Sequence, residues 1–247
     1  MNDLRFAVIT DIHGNRPALS AVLNEIDCTK GIEHIYCLGD MIGIGPDTNE
    51  VLDILFSNKR ISMITGNHDE AVLALLKGEK YPESHLRAKK HHQWVADRMN
   101  PSYIPLLQKL PREIKITNEG HRILFNHYNL DHNGHISQDP FSSIVEPTLQ
   151  NIEKLYSHRE FDLICFGHHH PIHYFEGMRS VYLNPGSLGC SKEALAPFSI
   201  VEVTDKGIKV DLKKARYEKT EFLLSYELLQ IPDREFLLKV FHSVHSH

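Results

Sequence analysis

The chain is poor in cysteine and has no long apolar run, and each shortage removes a class of protein. Cys28, Cys37, Cys165 and Cys190 are its 4 cysteines in 247 residues, and no two make a Cys-x-x-Cys pair. Neither a disulfide framework nor a thiolate zinc module fits that count and spacing. The four read as reduced, buried small hydrophobes, and no thiolate is expected near the polar clusters described below. No apolar run approaches the roughly 18 residues that span a bilayer. The start, Met1-Asn2-Asp3-Leu4-Arg5, has no basic segment leading into a long apolar stretch. No membrane partner is expected, and a cytoplasmic location is. Positive charge is also short: 27 basic against 32 acidic residues leave a formal charge of -5. Basic residues cluster only as pairs such as Lys89-Lys90 and Lys213-Lys214, which is no footprint for a long nucleic acid. With repeats and low-complexity tracts absent, 41% hydrophobic and 24% charged residues describe an ordinary globular chain.

What the chain has in excess is histidine, 18 in all, and imidazole is the commonest metal-ligating side chain. His242, His245 and His247 are irregularly spaced and read as exposed tail residues. The others acquire meaning from their positions. Leu4 to Thr10 is a short apolar, β-branched run that ends in Asp11-Ile12-His13-Gly14-Asn15, a strand followed by a polar turn. Behind Pro17, Leu19, Val22, Leu23 and Ile26 recur at helical spacing. His34 to Leu38 is a second strand, ended by Gly39-Asp40, and Ile61 to Ile64 a third, ended by Thr65-Gly66-Asn67-His68-Asp69. Strands alternating with helices predict a parallel sheet whose ligands bind beyond its carboxyl ends.

A helical insertion is expected at about 70–110, including one helix from Ser84 to Met99 that carries Lys89, Lys90, His91, His92 and Trp94. That mixture suits pairing with phosphate oxygens and stacking on a base, so the insertion is expected to cap the site. Asn118-Glu119-Gly120 marks a hairpin, and His127 is followed by a polar loop from Tyr128 to Phe141, with His132 and His135, that could serve as a lid. A helix from Ser143 to Tyr156 then leads to the strand Asp162 to Phe166, which ends in Gly167-His168-His169-His170. Further hairpins around Glu176-Gly177-Met178 and Thr204-Asp205-Lys206-Gly207 make the second half read as mainly antiparallel. A C-terminal helix at about 221–242, broken at Pro232, closes a single domain spanning 1–247.

Asp11-x-His13 is weak taken alone. Five polar clusters at five strand ends are a stronger signal: Asp11/His13, Asp40, Asn67/His68, His127 and His168/His170. Carboxylate and amide oxygens with imidazole suit two divalent cations, manganese, iron, zinc or a mixture. Asp40, alone after its glycine, is the natural bridging carboxylate.

In order and spacing these blocks resemble the signature of the calcineurin-like metallophosphoesterase family, in particular its small bacterial, diadenosine tetraphosphatase-related branch. Asn184-Pro185-Gly186-Ser187 resembles a further turn of those members. The resemblance implies an α/β fold, a four-layer α/β/β/α sandwich with a dimetal site at one edge of two sheets. It implies that Asp11, His13, Asp40 and His170 hold one metal and Asp40, Asn67, His127 and His168 the other. His68 would face the leaving oxygen, with Asp69 orienting it, while a bridging hydroxide attacks phosphorus. His169, between two presumed ligands, should point away from the metals. The expected activity is hydrolysis of a small phosphorylated metabolite or nucleotide. A dinucleoside polyphosphate hydrolase and a serine/threonine protein phosphatase are the alternatives. Protein phosphatases of the superfamily carry Gly-Asp-x-Val-Asp-Arg-Gly where this chain has Gly39-Asp40-Met41-Ile42-Gly43-Ile44-Gly45. The absent arginine argues against the protein phosphatase, and Arg16 is a candidate substitute for its phosphate contact. A non-catalytic scaffold is opposed by the presence of His68 and all seven presumed ligands.

Overall fold

The computed structural model describes residues 3–128 and 145–244. In chain order it begins with β1 (Leu4–Ile9), α1 (Arg16–Cys28), β2 (His34–Cys37), α2 (Thr48–Ser57), β3 (Ile61–Met63) and α3 (Asn67–Lys77). A 3₁₀ turn at Glu83–Ala88, α4 (Lys89–Ala96), another 3₁₀ turn at Pro101–Tyr103 and α5 (Ile104–Leu107) follow. Then come β4 (Glu113–Asn118), β5 (His121–Asn126), α6 (Leu149–Leu155), β6 (Leu163–Cys165), β7 (His173–Glu176) and β8 (Val181–Asn184). The chain closes with β9 (Leu195–Thr204), β10 (Gly207–Arg216), α7 (Thr220–Leu228) and α8 (Arg234–His242).

Two five-stranded sheets result, in the orders β10-β9-β1-β2-β3 and β4-β5-β6-β8-β7. Strand periodicity of two builds three cores from them. On β1, Ala7 and Ile9 face α1 and α2, in a core with Leu19, Val22, Val51 and Leu55. Phe6 and Val8 point the other way, where they meet Ile123 and Phe125 of β5 and Leu163 and Cys165 of β6 between the sheets. The alternate residues Leu124 and Ile164 bury against Ile152 and Tyr156 at α6. The layers are therefore helix, sheet, sheet, helix, as the α/β sandwich expectation required.

The first sheet is parallel across β1, β2 and β3, with β9 antiparallel to β1. The second half is mainly antiparallel, as expected, through β4–β5, β7–β8 and β9–β10, but the centre of the second sheet, β5, β6 and β8, runs parallel. Short hairpins are visible in sequence, but which strand a hairpin then pairs with is a tertiary matter. The Ser84–Met99 helix is in fact the 3₁₀ turn followed by α4. The helix before β6 starts only at Leu149, where the Thr148 hydroxyl accepts from Asn151 N at 3.2 Å. The Tyr128–Phe141 loop lies outside the described residues from position 129 onward. Among the described residues no helix is long and apolar enough to cross a membrane.

Candidate metal centre

The polar turns after β1, β2 and β3 are stitched together by backbone hydrogen bonds. Asp11 N donates to Gly39 O at 3.0 Å and His13 N to Asp40 O at 2.9 Å. From the second sheet, Gly167 N donates to His127 O at 2.8 Å. The Asn184–Cys190 turn closes beneath, where Ser187 Oγ donates to Asp11 O at 2.8 Å and Gly189 N donates to the same oxygen at 3.0 Å. Asp11, His13, Asp40 and His168 all adopt positive φ, between 49° and 67°. For residues with a Cβ such a conformation costs of order 1–3 kcal/mol and concentrates at functional sites. Here it turns four side chains toward one point.

The converging donors form two sets. In the first, His13 Nε2 lies 3.6 Å from Asp11 Oδ1, 3.9 Å from Asp40 Oδ2 and 3.1 Å from His170 Nε2. In the second, His127 Nε2 lies 3.2 Å from the same Asp40 oxygen and 2.9 Å from Asn67 Oδ1, which His168 Nδ1 approaches at 2.7 Å. Asp40 Oδ2 thus faces both sets, while its Oδ1 accepts from His68 N at 2.8 Å. The other ring nitrogens are tied back: His127 Nδ1 to Leu38 O at 2.7 Å and His13 Nδ1 to Ile42 O at 3.3 Å. A carbonyl can only accept, so each ring donates through Nδ1, which leaves Nε2 as the nitrogen that a metal ion would take in place of a proton.

These residues fit a pair of divalent cations. Asp11 Oδ1 is fully buried and has no hydrogen-bond partner among the described residues, a costly state that an ion would relieve. Burial would raise the Asp11 carboxyl, but the neighbouring His13, His127 and His170 bring it down to about 2. Asp40 is likewise held well below its usual range, against burial, by His127 and His68. His127 moves up to about 10, against burial, because of Asp40. His168 and His170, whose largest influence is burial, fall to about 3 and about 4, so both are neutral donors at physiological pH.

His68 opens α3 beside this cluster, its ring edge-on to that of His13 with centroids 5.0 Å apart. Asp69 does not orient that ring by a hydrogen bond. Its Oδ1 accepts from Met41 N and Ile42 N at 3.0 and 3.2 Å, and its Oδ2 accepts from Gly66 N at 2.9 Å. It therefore locks the Asp40 loop to the start of α3. Burial and the nearby Asp40 push its carboxyl up, opposed by the Gly66 N–H. His169 turns to Tyr128, with ring centroids 5.2 Å apart. Arg16 is exposed at the start of α1, where its backbone N meets Asp47.

Two residues that sequence reasoning did not name, Tyr81 and His85, enter the site, and His92 of the expected cap enters it as a partner of His68. His85, in the 3₁₀ turn, takes the amide of Asn67 on its Nε2 at 2.8 Å, which aims the Asn67 oxygen at His127 and His168. His92 of α4 contacts His68, and Tyr81 contacts His92. The histidine excess was the signal for His85, and a place on the expected cap helix was that for His92, while Tyr81 had none. Trp94, by contrast, is 8% exposed, lies in the first core and stacks on His91, so it is not free to stack on a base. A cysteine does lie near the clusters: the Cys190 sulfur and the ligand atoms of His13 and His170 lie within 4.8 Å of one another, but burial pushes its pKa well up, so it stands there as a thiol and not a thiolate. Stitching of the Asn184–Cys190 turn to Asp11 brings it there. Cys28 is exposed, and all four thiols are unpaired.

The calcineurin-like phosphoesterase superfamily domain matches residues 4–206, from the start of β1 to the β9–β10 turn. The chain belongs to that superfamily. It is a hydrolase acting on phosphate esters, of a family that depends on two metals. The phosphoesterase is 29% identical over 230 residues to the uncharacterized protein MJ0912 of Methanocaldococcus jannaschii, covering 86% of this chain and 87% of that one. Over 72 residues it is 35% identical to the symmetrical bis(5'-nucleosyl)-tetraphosphatase of Cronobacter sakazakii, spanning 29% of this chain and 25% of that enzyme. Its fold matches protein PH1004 of Pyrococcus horikoshii with a TM-score of 0.79 at 20% identity, covering 98% of this chain and 100% of that one. A metallophosphoesterase of Sphaerobacter thermophilus matches with 0.73 at 18% identity, covering 96% and 98%.

Proposed function

We propose that this phosphoesterase hydrolyses small phosphorylated substrates, nucleotides or dinucleoside polyphosphates among them, at two divalent cations drawn from manganese, iron and zinc. Asp11, His13, Asp40 and His170 would hold one cation and Asp40, Asn67, His127 and His168 the other. The observation that carries the reading is Asp40 Oδ2, one carboxylate oxygen facing both donor sets. When bound, two such cations activate a water and neutralise phosphoryl oxygens. His68 assists the leaving oxygen by passing it a proton taken up from solvent water. Asp69 keeps the Asp40 and His68 loops in register, and His85 keeps the Asn67 oxygen aimed inward.

A small substrate is favoured by what flanks the site. Segment 81–92 folds onto Asn67 and His68 and restricts one side. A cavity of about 430 Å³ adjoins His170 on the other, lined by Lys192, Lys214 and Phe241 among others. Phosphate pairing by lysine and stacking on Phe241 suit a nucleotide there. The fragmentary likeness to a dinucleoside tetraphosphatase points the same way. Four unpaired cysteines suit a reducing compartment such as the cytoplasm.

The test is Asp40→Asn, assayed on an aryl phosphate, its bis-aryl diester and a dinucleoside polyphosphate, with metal content measured in parallel. Turnover should fall by at least about 10²-fold, and bound metal should drop together with it. A folded variant that retains two metals and full turnover would overturn the assignment.

A further inference from the structure

Among the described residues no carboxylate hydrogen-bonds the His68 ring. Its Nδ1 lies 2.7 Å from Nε2 of His92, and Nδ1 of His92 lies 2.7 Å from the Tyr81 hydroxyl. That hydroxyl donates to the backbone carbonyl of His85 at 3.0 Å. The direction of each bond follows from the last one. A carbonyl oxygen only accepts, so the single Tyr81 proton goes to His85 and the Tyr81 oxygen is left to accept. His92 must therefore donate to it through Nδ1–H. His92 is fully buried, and burial together with the nearby His91 and His85 holds its pKa down to about 3, so it carries one proton only. Its Nε2 is then a bare acceptor, and His68 has to donate to it through Nδ1–H.

We infer that His92, held by Tyr81, is a positioning residue that fixes His68 as the Nδ1–H tautomer and leaves His68 Nε2 as the nitrogen turned to the leaving oxygen, a nitrogen that takes up a proton from solvent water before passing it on and then returns to the neutral Nδ1–H form. The inference rests on the proposed phosphoesterase chemistry for its catalytic consequence, though the tautomer itself does not. A second observation explains why the partner comes from the cap. Position 43, an aspartate in the protein phosphatase motif, is glycine here, and a Cβ added to it would sit 2.9 Å from His68 Nδ1. A side chain there would displace the ring, so the group that orients His68 arrives from α4 instead. Segment 81–92 thereby has a use beyond covering the site: its His85 orients Asn67 and its His92 orients His68.

The direct test is two-bond proton–nitrogen correlation NMR on the zinc-loaded, full-length protein, with His68 assigned by comparison with His68→Gln. The expected result is a protonated Nδ1 and an unprotonated Nε2 on neutral His68. An Nε2–H tautomer would overturn the inference. Kinetics supply the second arm. His92→Leu should lower kcat about 10–100-fold on an alkyl phosphate, whose leaving group needs a proton, and much less on a nitrophenyl phosphate, with KM and metal content unchanged. His92→Gln, which keeps an acceptor, should restore most of the loss. Equal losses on both esters, or no rescue by glutamine, would reduce His92 to a packing residue. Should His92→Leu fail to fold, Tyr81→Phe provides the check, because it frees His92 to turn and should lower the Nδ1–H population of His68. A wild-type protein inactive on every ester would refute the proposed function and leave the NMR result to decide the tautomer.

Discussion

Gly66 shows how tightly single atoms constrain the centre. A Cβ on it would lie 2.3 Å from both the backbone N and Oδ1 of Asp40, where no adjustment of a flexible tip can make room. Gly66→Ala should therefore cost about 1–3 kcal/mol in a denaturant titration, the usual range for overpacking. It should also weaken metal binding, since the atom displaced belongs to the carboxylate that both donor sets share. A variant with unchanged midpoint and metal content would show that the Asp40 loop yields more freely than its hydrogen bonds to Asp69 suggest.

At the scale of elements, the two C-terminal helices are joined by a buried histidine rather than ending in a solvated tail. His242 of α8 is 1% exposed, so the expectation of an exposed tail fails at this position; its Nε2 lies 3.1 Å from the Tyr226 hydroxyl of α7. Burial, with Lys219 nearby, lowers its pKa to about 4 from the ordinary 6.5. The unfolded chain thus binds this proton before the folded one does. Stability is unaffected above about pH 6.5, falls as pH drops below it, and levels off below about pH 4. Between pH 7.5 and 5 this single group should remove about 2 kcal/mol. In His242→Phe, whose ring would keep the packing against Phe222 and Tyr226, that part of the acid sensitivity should vanish. Parallel urea midpoints at the two pH values measure it, and identical pH slopes would rule the group out.

For the whole molecule, the edge where the two sheets meet is also where buried charge is concentrated. Asp11, Asp40 and Asp69 are each at most 1% exposed, and only the native arrangement brings the first two together with four histidines. Cations that bind this arrangement and not the unfolded chain must stabilise it. At a free manganese concentration about 100 times Kd, a single site contributes about 2.7 kcal/mol. For a chain of this size that corresponds to a rise in Tm of roughly 5–10 °C. A chelator should reverse the shift, and Asp40→Asn should lose it. A Tm that ignores both manganese and chelator would contradict a metal centre built at this edge.

Sequence alone determined the local events: apolar runs that stop at polar, glycine-bearing turns, and ligand-type residues placed within those turns. A strand end is a local property, because the change from buried β-branched residues to Asp, Asn, His and Gly is written in adjacent positions. That made Asp11, His13, Asp40, Asn67, His68, His127, His168 and His170 legible as strand-end residues before any coordinates, along with the α/β class, while the layering came with the family resemblance. Tertiary structure decided everything that depends on one segment lying over another. The order of the second sheet, with β8 paired to β6 and β7 at the edge, follows from long-range pairing. Trp94 turned into the core and His92 turned to His68, although the two are neighbours on the same helix and equally plausible at its surface. Cys190 reached His13 because its turn was stitched to the end of β1, 176 positions away between Ser187 and Asp11. Such contacts leave no periodicity in the chain, since their energy comes from burial and hydrogen bonds that exist only once the sheets have closed.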